Sequence, residues 1–211
     1  MVVATFLLLG SLAACVVDST ELEESGSAQS TPGARLAASF SAYLEQRLPL
    51  HVDVMSDFEK EVLGRAVDSG QIEAADYEEA FSRYMSCMAE RGFVDSWHKN
   101  SFGIYAMDTR RLLDPASEQL HDEAFMDCSL GVMYVLSFYD VQQTNPELLV
   151  NPREVALECL QRNGFVDGDY TLADLDAATK DGFQRATFDP YDPLANDCLY
   201  AGGMTVVLVE E

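Results

Sequence analysis

The chain has 211 residues, enough for one domain or for one domain with a tail. Its apolar fraction of 48% and aromatic fraction of 10% argue for a real core and against overall disorder. Thirteen Lys and Arg stand against 36 Asp and Glu, a formal net charge of -23, and such a surface repels phosphate backbones, which excludes nucleic-acid binding through a basic groove.

Met1 to Ala14 reads MVVATFLLLGSLAA, an apolar run of signal-peptide length that stops short of the ~20 residues a membrane span requires. It ends in Leu12-Ala13-Ala14-Cys15, a branched aliphatic residue, two small residues and a cysteine. This tetrad resembles the lipobox of bacterial lipoprotein precursors. The resemblance implies that Cys15 receives a diacylglycerol, that residues 1–14 are removed, and that the mature chain is exported and anchored by its lipid to the outer face of the cell membrane. The run carries no Lys or Arg, so either the α-amino group alone supplies the usual positive charge or translation starts further upstream. Residues 15–34 are rich in Ser, Thr, Glu and Gly, the composition of a flexible tether.

The remainder, 35–211, is expected to form one mostly α domain. Arg35 to Leu48 and Asp53 to Val67 read as an N-terminal pair of amphipathic helices, the second capped by Asp53 or Ser56. Tyr77, Phe81, Tyr84, Met85 and Met88 recur at three- and four-residue steps and mark the apolar face of a third helix. Ser101 to Met107 has strand character. Pro115 to Val141 reads as one long helix, apolar almost all round from Leu130 to Phe138. Pro152 opens another helix, with Val155, Ala156, Leu157 and Leu160 on its apolar side. Thr171 to Ala186 follows, with Thr171 as N-cap and Asp174 at N3. The β-branched run from Met204 to Val209 suggests a short terminal strand.

Two stretches of the chain are copies of one unit, spanning about 76–145 and 148–211. Cys87, Gly92, Phe93, Val94 and Asp95 match Cys159, Gly164, Phe165, Val166 and Asp167 at equal spacing, and Asp122 with Asp127-Cys128 matches Asp192 with Asp197-Cys198. Gly92 and Gly164 are expected just past helix ends, where a left-handed backbone costs glycine little. With Cys15 lipidated, four cysteines remain, an even number in an exported protein. The repeat selects one of their three pairings, Cys87 with Cys128 and Cys159 with Cys198, at intervals of 41 and 39 residues. A zinc site would want close Cys-x₂₋₄-Cys pairs, which are absent.

Gly70-Gln71-Ile72, then Asp76-Tyr77-Glu78-Glu79-Ala80, then Cys87 ahead of Gly92-Phe93, resembles uncharacterised secreted lipoproteins of actinobacteria with a Cys-x₄-Gly-aromatic motif. The resemblance covers about residues 53 to 200. It implies the same address and the same disulfides, and brings no activity with it.

Sites of known chemistry are few. Placing Gly70 at the sixth position of an EF-hand loop would put Arg65 and Val67 at ligand positions, and the loop opened by Asp167 would end on Ala178, so neither binds calcium. Asp189, Asp192 and Asp197 suit helix capping and turns as well as a cation. His51, His98 and His121 lack metal-ligand spacing, and no Gly-x-Ser-x-Gly elbow occurs. Ser96-Trp97-His98-Lys99 matches Ser-x-x-Lys without the partner motifs of penicillin-binding enzymes. No metal or cofactor is therefore expected. Trp97, His98 and Tyr105, with Phe102, form the candidate ligand site, because they follow the first Gly-Phe and the second copy has no tryptophan there.

These readings lead to a membrane-anchored binding or adaptor module for an envelope protein or small ligand. The alternative is an envelope hydrolase whose carboxylate pair is invisible in sequence. A buried acidic pair in a cleft would favour the enzyme, an exposed apolar patch the binding module.

Overall fold

A computed structural model describes residues 31–108 and 114–206. Cys15, the lipobox, most of the expected tether and residues 207–209 of the expected terminal strand lie outside them. The described residues form eight α-helices and one two-stranded antiparallel hairpin. Met204 to Val206 form no strand.

The helical pair comes first, as α1 (Phe40–Arg47) and α2 (Asp57–Ser69). Helix α1 starts five residues later than expected, and hydrogen bonding explains why. Arg35 forms an antiparallel bridge with Leu149, the Leu36 N–H donates to the Leu148 carbonyl at 2.6 Å, and the Val150 N–H donates to the Ala34 carbonyl at 2.8 Å. These backbone groups are committed across the chain, so the helix begins only after Ser39, whose hydroxyl accepts from the Ala42 N–H at 3.2 Å. Ser56, not Asp53, caps α2, in a reciprocal box with Glu59.

Helix α3 (Ala74–Glu90) presents Tyr77, Ala80, Tyr84 and Met88 to the core. The hairpin follows, β1 (Trp97–Lys99) against β2 (Tyr105–Met107), so the expected strand occupies only the end of its span. Its turn is built by Asn100, whose side-chain oxygen accepts from the Phe102 and Ile104 N–H groups, each at 3.0 Å.

The long helix expected from Pro115 to Val141 is two helices, α4 (Pro115–Ser129) and α5 (Met133–Thr144), meeting at 81°. The break falls at Gly131, where φ is +89°. Helix α2 seals it. The Ser56 hydroxyl donates to the Gly131 carbonyl at 2.7 Å, and the fully buried Glu59 carboxylate accepts from the Ser56 N–H at 2.8 Å and the Tyr134 N–H at 3.0 Å. One carboxylate thus satisfies orphan donors at the starts of two helices. Among the described residues no single helix is long and apolar enough to cross a membrane.

The second copy comprises α6 (Pro152–Arg162), α7 (Leu172–Lys180) and α8 (Pro193–Ala201). Helix α7 has the Thr171–Asp174 capping box but ends well before Ala186, at Gly182 with φ +66°. Its place in the unit corresponds to that of the hairpin in the first copy. Asp122 and Asp192 are not equivalent: Asp192 caps α8, whereas Asp122 lies inside the longer α4, whose cap is Asp114.

The Gly-Phe stops are equivalent in detail. In α3 the Gly92 N–H bonds to Ala89 and the Phe93 N–H to Met88; in α6 the Gly164 N–H bonds to Gln161 and the Phe165 N–H to Leu160. Both are Schellman caps, and both phenylalanines fold back onto their units. The disulfides are Cys87–Cys128, joining α3 to α4, and Cys159–Cys198, joining α6 to α8. Two apolar clusters result. One is centred on Leu44, Leu63, Met88 and Val135, the other on Ala156, Leu160, Leu175 and Leu199. Each fully buried leucine contributes about 1.5–3 kcal/mol of transfer free energy.

Candidate functional site

The hairpin packs its ring-bearing face on α3. Strand alternation puts Trp97, Lys99, Tyr105 and Met107 on one face and His98 on the other. Phe81 stacks on Tyr105 with centroids 3.7 Å apart and meets Trp97 edge-on at 5.2 Å. Tyr84 meets Trp97 edge-on at 5.9 Å, and Tyr77 stacks on Tyr139 at 4.2 Å. The Tyr77 hydroxyl oxygen is turned to the hairpin, where it accepts from the Tyr105 N–H at 2.7 Å. Tyr77, Phe81, Tyr84, Trp97 and Tyr105, with Phe125 of α4 and Met133, Leu136 and Asp140 of α5, line a cleft of about 390 Å³.

Two residues of the cleft wall carry buried donors with no partner among the described residues, the Tyr84 hydroxyl and the Trp97 Nε1–H. Tyr84 is only 3% exposed. Buried Tyr and Trp polar ends are ordinarily hydrogen-bonded, so two unpaired donors in one cleft are unusual. Burial, with a smaller push from Asp95, raises the Tyr84 pKa to about 12 and keeps the hydroxyl protonated. Tyr77 is likewise pushed up to about 12, chiefly by burial.

The acid of the cleft is Asp140. Asp140 is exposed at the rim, where crowding by its neighbours partly desolvates it and raises its pKa, and no cation pairs with it among the described residues. Nearby cations are engaged elsewhere. Lys99 pairs with Glu78 and lies 5.0 Å over the Tyr105 ring, while Arg83 pairs with Glu79 and lies 4.0 Å over Phe58. The Tyr105 hydroxyl donates to Glu78 at 2.8 Å. The Lys99 hydrogen bond, ahead of that of Tyr105, lowers the Glu78 pKa.

Trp97, His98 and Tyr105 are thus brought together on one hairpin, but not in one role. His98 turns from the ring cluster, and its Nδ1 lies 2.6 Å from Asp108 Oδ1. It lines instead a wider, adjoining cleft of about 680 Å³ between the hairpin, α5 and α8, where Phe102, Asp140, Asp197 and Tyr200 also lie. The Ser96 hydroxyl also bonds to Asp108, and Ser96 and Lys99 engage different carboxylates rather than each other. Bonds from Ser96 and then His98 lower the Asp108 pKa.

The other histidines stand apart. His51 stacks on Tyr134 at 4.7 Å, and buried His121 contacts Asp95 at 3.0 Å. Asp189 and Asp192 serve a turn and a helix cap, and Asp197 accepts from the Ser101 N–H at 2.7 Å. Among the described residues no cluster of three or more His, Cys, Asp or Glu side chains is placed to hold a metal.

Sequence reasoning missed Tyr77, Phe81 and Tyr84 as site residues, since their helical spacing marks core equally well. It had no signal for Asp140. In the aromatic cleft Asp140 is the one acidic residue among the lining groups, so no carboxylate pair meets there. Beside it the end of α4 and start of α5 leave Phe125, Met126, Leu130 and Met133 exposed.

No protein-family model matches the chain, and neither does a curated protein or a solved structure. The two disulfides mark it as extracytoplasmic, because cytosolic thiols are kept reduced.

Proposed function

We propose that this chain is an exported lipoprotein, held at the outer face of the cell membrane by a lipid on Cys15, and that it acts there as a binding or adaptor module. The observation that supports binding is the aromatic cleft, whose wall residues Tyr84 and Trp97 carry unpaired buried donors and which is flanked by exposed apolar side chains. Hydrolysis by a carboxylate pair is the weaker reading, because Asp140 is the one acid lining the aromatic cleft, and Asp197, which shares the adjoining cleft with it, is engaged by the Ser101 N–H. The lipobox and the extracytoplasmic disulfides support the address.

Membrane fractionation tests the anchor. Cys15→Ser should move the protein from the membrane to the soluble fraction, and unchanged retention would sink the lipoprotein reading. Cross-linking in the native envelope tests the adaptor role. One chain captured near stoichiometrically by the wild type, and lost with Trp97→Ala, supports an adaptor; an empty capture turns the reading towards a small ligand.

A further inference from the structure

We propose that the aromatic cleft binds a small organic cation, an ammonium group on an apolar or aromatic body that also carries a hydrogen-bond acceptor. This rests on the cleft being a ligand site, and adds the chemistry of its occupant.

Three features point to that chemistry. The first is charge. Asp140 lines the cleft without a cationic partner among the described residues, in a protein of net charge -23. Such a field concentrates cations and repels anionic ligands. Desolvation already raises the Asp140 pKa, so a cation placed beside it stabilises the charged form.

The second is the ring surface. Tyr77, Phe81, Tyr84, Trp97 and Tyr105 turn a group of aromatic rings into the cleft, and ring faces attract cations. The molecule already uses this attraction, with Lys99 set 5.0 Å over the Tyr105 ring. The third is the pair of orphan donors. The Tyr84 hydroxyl, on a side chain 3% exposed, and the Trp97 Nε1–H are buried and unpaired in the cleft wall, and a small shift of either ring on binding would present its donor to an acceptor on the ligand. A ligand with an ammonium group for Asp140 and an acceptor that draws out the Tyr84 or Trp97 donor answers these groups, and the cleft of about 390 Å³ holds a body of one aromatic ring and a short chain.

A neutral sugar is the competing ligand for a cleft of this kind. It would use the rings and the donors, and would gain nothing from the charge of Asp140.

Trp97 is the one tryptophan of the chain, so its emission reports on the cleft. The full chain is titrated with tyramine, with its neutral analogue 4-ethylphenol, and with chitotriose. Tyramine should saturate the emission change at a concentration about tenfold below 4-ethylphenol, the size expected of one partly exposed ion pair plus a cation–ring contact. In Asp140→Asn that preference should vanish while the 4-ethylphenol curve stays in place, which also shows that the variant is folded. Equal affinity for the charged and neutral phenols, or a preference that survives in Asp140→Asn, overturns the inference. Saturation by chitotriose alone overturns it too, but leaves the binding module standing. No response to any of the three removes the cleft as a ligand site and leaves the membrane address untouched.

Discussion

Gly202 and Gly203 are neighbours at the end of α8, and a methyl group is excluded from each for a different reason. At Gly202 φ is -86°, acceptable to any residue, but a Cβ would lie 2.5 Å from the Ala156 Cβ and 2.8 Å from the Pro152 carbonyl. At Gly203 φ is +71° and nothing lies within 4 Å. Gly202→Ala should therefore cost about 1–3 kcal/mol by forcing α6 and α8 apart. Gly203→Ala should cost about 1 kcal/mol, through backbone strain alone. Denaturant titration of both, each with and without Ala156→Gly, separates the mechanisms. Ala156→Gly should recover part of the first loss and none of the second, and equal recovery would contradict the packing argument. Neither role was visible in the sequence, where the two glycines simply adjoin. Gly92 and Gly164 were legible, because each is followed by a phenylalanine at matched distance from a cysteine.

At the level of elements, each disulfide joins the helix that opens a unit to a later helix of the same unit, α4 in the first and α8 in the second, spanning 41 and 39 residues. Chain entropy assigns about 4 kcal/mol to each. Cys159→Ala/Cys198→Ala should lose about that much and expose α6, α7 and α8 to amide exchange ahead of α2 and α3, because the second cluster is the smaller. Cys87→Ala/Cys128→Ala should leave α6 to α8 protected. Exchange rising equally in both units after either change would refute their separate stapling.

The pairing was legible because a repeat is a statement about spacing. The α4–α5 corner was not. The apolar run from Leu130 to Phe138 hides Gly131 inside what looks like one helix, and the groups that hold the corner, Ser56 and Glu59, lie 75 residues away in sequence from Gly131 and Tyr134. The candidate site divides in the same way. Trp97, His98 and Tyr105 stood out because they follow the first Gly-Phe and the second copy has no tryptophan there, whereas Asp140 joined Trp97 and Tyr105 only when α5 was folded against the hairpin.

For the whole molecule, charge sets the response to salt. Most of its ion pairs among the described residues are exposed, each worth about 0–1 kcal/mol, and salt weakens them slightly. Against this, 36 acidic groups repel one another with only 13 basic groups to offset them. Repulsion is the larger effect, so raising ionic strength from low to physiological values should stabilise the fold by about 1 kcal/mol, roughly 2–4 °C in Tm for a chain of this size. A fall in Tm with added chloride would show instead that the ion pairs dominate.

The bridge between Arg35 and Leu149 has a mechanical consequence. Just beyond the first described residue, the Gly33 N–H bonds to Glu154 at 3.1 Å, Arg35 pairs with Glu147 at 2.6 Å, and two backbone hydrogen bonds tie Ala34 and Leu36 to Val150 and Leu148. A pull on the chain from its N-terminal side is therefore met at the seam between α5 and α6 before it reaches α1. The load is divided between both halves at their junction, and α1 is spared from being unwound from its free end.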